Sequence, residues 1–256
     1  MTAPRLHVVR EGEGPFVVLS HALGSDLRMW DGVAALLARA HTVLRYDHRN
    51  HGGSERVAEP FGMQALGRDA AALIERETGG EPVHFVGLSM GGMTAQALAA
   101  ERPDLLRSVT IANSSAHYPD PAPWRARAEA VAARGVEAIA DGAVERWLTP
   151  AFAATPEGAT AARALRDVLV RNDPRAYIDS CAAVAAIDLR EGNRRIAVPT
   201  LVIAGAQDLA TPPAMSEAIV AAIPGARLAT LDAAHVSAVE RPAEFVALLI
   251  DFWRSL

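Results

Sequence analysis

Short apolar runs alternate with helical stretches along most of this chain. Apolar runs at residues 16–20, 42–46, 83–86, 107–112, 200–204 and 227–231 predict strands. A further run over residues 6–10 predicts an edge strand near the start. Helical spacing predicts helices over 62–77, 92–100, 213–222 and 243–254, with Pro103 and Pro224 stopping helices ahead of the next strand. This order implies an α/β fold, a mainly parallel sheet flanked by helices.

The alternation stops between residues 119 and 195. Pro119, Pro121 and Pro123 mark the start, and Pro150, Pro156 and Pro174 divide the remainder into short helices rich in alanine and arginine. The segment holds no strand pattern and is several times longer than a crossover needs. A helical lid inserted between sheet strands is therefore expected, with 1–118 and 196–256 as the core and 119–195 as the lid.

Composition narrows the class. Half of the 256 residues are hydrophobic and 21% are charged, the balance of a globular protein large enough to bury a core without disulfides or structural metal. Cys181 is the only cysteine, which excludes an intramolecular disulfide and argues against a cysteine-based zinc site. The net charge of −5, with no basic tail, argues against nucleic acid or an anionic membrane as partner. No apolar run is long enough to span a membrane. The first residues, Met1-Thr2-Ala3-Pro4-Arg5, lack the apolar stretch of a signal peptide, so the cytoplasm is the expected compartment.

The chemistry centres on Gly87-Leu88-Ser89-Met90-Gly91, between the strand run ending at Val86 and the helical run from Gly92. Glycine-flanked serine on a strand-to-helix turn is a nucleophile elbow: the turn strains the serine backbone and lifts its hydroxyl clear of the sheet. A serine hydroxyl needs a base, and that base needs a carboxylate to hold its tautomer. Asp208 lies just past the 200–204 run and His235 just past the 227–231 run, so both follow Ser89 at strand ends. Asp232 is a rival acid in the histidine's own loop, and Asp208 also suits a helix cap near Pro212. His7 and His41 look like surface residues, and His84 a core one. His21, His48 and His51 lie in loops near the expected cleft and are candidates for substrate contact, His21 first among them. For the oxyanion hole the expected donors are the backbone N–H groups of Met90 and of Leu23, with Gly24 turning the loop sharply.

These segments together resemble the α/β-hydrolase superfamily and, within it, the 3-oxoadipate enol-lactonases. Ser20-His21-Ala22-Leu23-Gly24-Ser25 is similar to the family's oxyanion loop, with a helix following. Asp47-His48-Arg49-Asn50-His51-Gly52 is similar to its D-x-R-G-H-G turn, with Asn50 where glycine is usual. Ala185-Ala186-Ile187-Asp188-Leu189-Arg190 resembles the end of its lid. The resemblance implies an α/β-hydrolase fold and the opening of a small enol-lactone to 3-oxoadipate in aromatic catabolism. Ser89 would act as nucleophile, and neither metal nor organic cofactor would be needed. It also implies that Trp124 walls the acyl pocket, unless it is lid packing, and that Arg127 supplies the cation an anionic substrate wants, unless it lies on a solvated face. His117 stands where related lactonases can carry arginine.

Three readings of the function remain open, the first two within one class. One is the ester or lactone hydrolase just described. Another is a broad carboxylesterase or perhydrolase using the same triad. The third is a non-catalytic module of the same fold, although all three triad residues are present. Serine at the elbow excludes a haloalkane dehalogenase, which needs a carboxylate there. The oligomeric state stays open.

Overall fold

The computed structural model describes residues 3–256; residues 1 and 2, counted in the expected core span, lie outside the described residues. Seven strands form one sheet: β1 (Val8–Glu11), β2 (Phe16–Ser20), β3 (Thr42–Tyr46), β4 (Val83–Leu88), β5 (Leu106–Ala112), β6 (Thr200–Gly205) and β7 (Arg227–Leu231). Their spatial order is β1-β3-β2-β4-β5-β6-β7, with only β1 antiparallel to its neighbour. The core helices are α1 (Asp31–Leu37), α2 (Met63–Thr78) and α3 (Met90–Glu101). Helices α4 (Ala122–Arg134), α5 (Glu137–Trp147), α6 (Pro150–Ala153), α7 (Pro156–Val170), α8 (Pro174–Ala185) and α9 (Arg190–Asn193) lie between β5 and β6. Helices α10 (Pro213–Ala222), α11 (Ser237–Glu240) and α12 (Pro242–Arg254) complete the chain. No helix of the described residues is long and apolar enough to cross a membrane.

Connection direction explains the layering. From β2 to β3 the chain steps one way along the sheet; from β3 to β4 and from β4 to β5 it steps the other way. Right-handed crossovers therefore place α1 on one face and α2 and α3 on the opposite one. In agreement, α1 packs on α12, and α2 packs on α3. Both faces being covered, β3 and β4 are buried throughout, which is why they read as continuous apolar runs rather than alternating ones. The connections leaving the neighbouring strands β2 and β4 run to opposite sides, so the crevice above their carboxyl ends is the place where such sheets bind ligands.

The segment between β5 and β6 is helical, as its prolines imply. Pro150, Pro156 and Pro174 each open a helix, and Thr149, Thr155 and Asp173 cap those helices by accepting the N–H groups of Phe152, Gly158 and Ala176. Its two stems meet where His117 pairs with Asp188. Beyond that bridge α9 packs on α3 and α10. Helix α1, which hydrophobic spacing alone does not resolve, runs straight out of a 3₁₀ turn at Leu27–Trp30 and is only two turns long.

The turn after β4 is held by backbone contact. Ser89 has φ 58° and ψ −116°, a conformation that costs about 1–3 kcal/mol for a residue with a side chain. Its N–H donates to Ala112 O at 2.9 Å, and the Ser114 hydroxyl donates to its carbonyl at 2.8 Å. A Cβ on Gly87 would stand 2.0 Å from Gly91 O, and one on Gly91 would stand 2.0 Å from Ser20 O. Strand β2, strand β4 and the first turn of α3 thus touch through main chain alone.

Three buried histidines hold the loop after β2. His21 Nε2 accepts the His48 N–H at 3.0 Å, and His51 Nε2 accepts the Gly24 N–H at 3.1 Å. Each ring's other nitrogen donates to a carbonyl, His21 to Ala22 and His51 to Arg49. His48 lies between them, bonded to the Ser20 hydroxyl at 3.0 Å. A proton on either accepting nitrogen would face an N–H donor, so these rings are built to stay neutral. Burial lowers all three, His51 to about 3, with His21 the next cause for His48 and His51. Asn50, where glycine was expected, adopts φ 66°, and its amide clips both the N–H and carbonyl of Val57. Asparagine tolerates this left-handed turn. His84 packs in the core as expected, stacked on Trp253 with ring centroids 4.4 Å apart.

Two outcomes follow from this packing. Gly91→Ala drives a methyl into the β2 backbone and is expected to cost about 3 kcal/mol or more, the upper end of overpacking penalties. Urea unfolding measures this, and an unchanged midpoint would contradict the interlock. The second outcome concerns pH. A histidine at about 3 when folded and 6.5 when unfolded contributes its stability above pH 6.5 and loses it as pH falls, because only the unfolded chain takes up the proton. The urea midpoint is therefore expected to drop from pH 7 to pH 5.5, above the range where carboxylates titrate. A flat profile would show that the cluster does not exclude protons.

Candidate active site

Ser89, Asp208 and His235 follow β4, β6 and β7, and the fold brings them together at the carboxyl ends of the strands. His235 Nε2 lies 2.9 Å from Ser89 Oγ, and His235 Nδ1 lies 2.9 Å from Asp208 Oδ2. A carboxylate only accepts, so Nδ1 carries the ring proton and Nε2 is left free to accept the serine proton. Asp208 is 2% exposed and Ser89 is partly open, so the acid is dry while the hydroxyl faces the pocket. Asp232 is exposed and bonds Gln207, which removes it as the histidine's partner.

The carboxylate of Asp208 is saturated with donors. Its Oδ1 accepts the N–H groups of Ala210 and Thr211 at 2.8 and 2.9 Å, and its Oδ2 accepts the Thr211 hydroxyl at 2.7 Å and the Asn113 amide at 3.0 Å. Burial alone would raise the carboxyl; His235 and these hydrogen bonds outweigh burial and hold it below its ordinary value. Asp208 therefore stays ionised and fixes the imidazole. Asn113, at the end of β5 with φ 46°, also donates to Ala234 O at 3.1 Å and accepts the Ser237 hydroxyl at 2.5 Å. It thereby joins the acid loop to the base loop. Sequence reasoning did not single out Asn113 or Thr211; the only sequence trace of Asn113 is a polar residue ending an apolar strand.

Glu240 is a second junction outside that reading. It is 3% exposed, and its Oε2 accepts the N–H groups of Thr149 and Ala234, both at 3.1 Å. The Thr149 hydroxyl donates to its other oxygen. Beside it the Val236 N–H donates to Trp147 O at 2.9 Å. The end of α5 and the start of α6 are thus clamped directly to the residues flanking His235.

The residues expected around the triad divide into two groups. Leu23, Trp124 and Arg127 line one pocket with Ser89 and His235, and Met90 opens α3 immediately after Ser89. No acceptor among the described residues meets the N–H of Leu23, and the Met90 N–H is the first of its helix, where no intrahelical partner exists. Arg127 lies over the Trp124 ring, 5.3 Å from its centroid, and Tyr118 meets the same ring edge-on. His21 is different: it is 0% exposed, both ring nitrogens are bonded to backbone, and it does not line the pocket. The expectation that it contacts substrate is corrected; it braces the loop that carries Leu23. Arg146 and Trp147, from α5, also line the pocket, and the sequence carried no signal for them.

A larger cavity of about 350 Å³ opens beside His7, Asp47 and His51. None of the side chains of Ser89, Asp208 and His235 lines it, whereas Ser89 and His235 line the smaller pocket together with Leu23. Among the described residues no group of three or more His, Cys, Asp or Glu side chains is placed to hold a metal ion.

The chain is 35% identical over 235 residues to 3-oxoadipate enol-lactonase 2 of Acinetobacter baylyi, covering 92% of this chain and 87% of that protein. It is 34% identical over 242 residues to 3-oxoadipate enol-lactonase 1 of the same organism, covering 94% and 90%. The crystal structure of the enol-lactonase from Burkholderia xenovorans LB400 superimposes with a TM-score of 0.92 at 38% identity, over 97% of this chain and 96% of that one. Residues 15–242 match the family model of the alpha/beta hydrolase fold, and the chain belongs to that family.

Proposed function

We propose that this carboxylic ester hydrolase opens a small, carboxylate-bearing lactone, with 3-oxoadipate enol-lactone as its substrate, through an acyl-enzyme on Ser89. The observation that carries the proposal is the continuous chain from Ser89 Oγ to His235 to Asp208 beneath a pocket that contains Arg127 and no acidic side chain. The names of the relatives supply the particular lactone.

The steps follow from the geometry. His235 Nε2 takes the Ser89 proton as Oγ attacks the lactone carbonyl. The Leu23 and Met90 N–H groups stabilise the oxyanion, each donor contributing about 3 kcal/mol by analogy with other oxyanion holes. Asp208 stabilises the imidazolium in the meantime. Collapse breaks the ring C–O bond, and the enol oxygen leaves with the proton from His235. The leaving group stays tethered because the bond broken was in a ring. Water, deprotonated by His235, then cleaves the acyl-enzyme and restores Ser89; the released enol becomes the ketone of 3-oxoadipate. Trp124 walls the acyl side, and Arg127 faces the substrate carboxylate. Such a reaction belongs to the breakdown of aromatic compounds, and a cytoplasmic setting goes with it.

The test is a side-by-side measurement of kcat/KM for the enol-lactone and for neutral short-chain esters, in wild type and Ser89→Ala. Wild type is expected to prefer the lactone, and Ser89→Ala to lose about 10⁴-fold or more on every substrate while remaining folded. A reversed preference would favour a broad carboxylesterase instead. Retained turnover in a folded Ser89→Ala protein would remove the nucleophile.

A further inference from the structure

The proposed lactone asks for one cation in the pocket, yet two arginines line it. Arg127 comes from α4 and Arg146 from the last turn of α5. Neither makes an ion pair with a carboxylate among the described residues, and no Asp or Glu lines the pocket they share with Ser89. Elsewhere the chain pairs its arginines readily: Arg45 with Glu11 and Asp31, Arg49 with Asp69, Arg166 with Asp141. Burial lowers Arg146 from its ordinary value, and the repulsion of Arg127 is the next cause. Two like charges around one small pocket destabilise each other unless an anion comes between them.

The bland explanation for Arg146 is its place near the carboxyl end of α5, where unpaired carbonyls favour a cation. That explains a positive charge in the last turn, but not why it faces a pocket holding a serine and a histidine. The backbone beside it adds a second observation. Trp147 O accepts the Val236 N–H at 2.9 Å, and Glu240 bonds Thr149 and Ala234 together. The root of Arg146 is therefore tied to the loop of His235, so its distance from the catalytic base is fixed by main chain. A long, flexible side chain rooted this way is suited to measuring a substrate.

We infer that Arg127 and Arg146 together form a two-guanidinium subsite that grips the substrate's carboxylate from two sides, making Arg146 a specificity-determining residue for small acidic esters and lactones. The inference rests on the hydrolase reading of the same pocket. Arginine suits the task because its planar fork matches a carboxylate and its contacts with one are charge-assisted. The carboxylate is present equally before and during reaction, so the contact acts mainly through KM.

The experiment uses two activated esters that differ only in a distal carboxylate: mono-4-nitrophenyl glutarate and 4-nitrophenyl butyrate. The quantity read is the ratio of kcat/KM for the acidic ester to that for the neutral one. Arg146→Met and Arg127→Met are each expected to lower this ratio about tenfold or more, chiefly through KM, with Arg146→Lys recovering part of it. Arg125→Met, exposed on α4, is expected to keep the wild-type ratio. A ratio within twofold of wild type in Arg146→Met overturns the inference, whatever Arg127→Met does. Should wild type turn over neither ester, the hydrolase reading fails, and calorimetry with glutarate tests the subsite separately. There Arg146→Met is expected to weaken glutarate binding about tenfold; equal binding, or none in wild type, overturns the subsite.

Discussion

The main-chain contact between β2, β4 and the first turn of α3 governs the rest of this structure. With Gly87 and Gly91 offering no side chain, these three pieces of backbone approach until a single methyl would not fit. That closeness forces Ser89 into its strained turn and sets the Ser89 hydroxyl beside the loop that carries Leu23. The proposed nucleophile and the proposed oxyanion donors are thus positioned by the same contact. The strain is held by bonds to Ala112 and Ser114, both from the neighbouring strand or its end. The geometry of the proposed site is a property of sheet packing before it is a property of any side chain.

Around that contact the other catalytic loops are joined to one another. Asn113 links the Asp208 loop with the His235 loop, while Glu240 links the His235 loop with the helical insertion. On the opposite side His51 holds Gly24 from the core, and Asn172 donates to Gly24 O at 3.0 Å from the insertion. The insertion therefore reaches both the His235 loop and the Leu23 loop through hydrogen bonds to backbone. Its pocket-facing residues, Trp124, Arg127, Arg146 and Trp147, are set relative to the chemistry by these ties.

How much of this was legible in the sequence depends on the range of the interaction. The strand and helix order was readable because burial on both faces writes continuous apolar runs, and because Pro150, Pro156 and Pro174 sit at helix starts. The positions of Ser89, Asp208 and His235 at the ends of β4, β6 and β7 were readable from order alone. Helix α1 was not, since two turns leave too short a period to see. The part played by Asn113 was hidden because its partners are Asp208, Ala234 and Ser237, far along the chain. Arg146 was hidden for the same reason: only the packing of α5 decides which arginine of the insertion faces Ser89. His21 misled in the opposite sense, because a histidine in a catalytic loop looks the same in sequence whether it faces the cleft or the core.

The activation of Ser89 by His235 is open to a direct chemical reading. A fluorophosphonate reacts with a serine only when a base removes its proton, and peptide mass spectrometry locates the adduct. One phosphonyl group on the peptide containing Ser89 is expected in wild type, and its loss in His235→Gln. Labelling at another serine, or undiminished labelling of Ser89 without the imidazole, would contradict the catalytic assignment at its root.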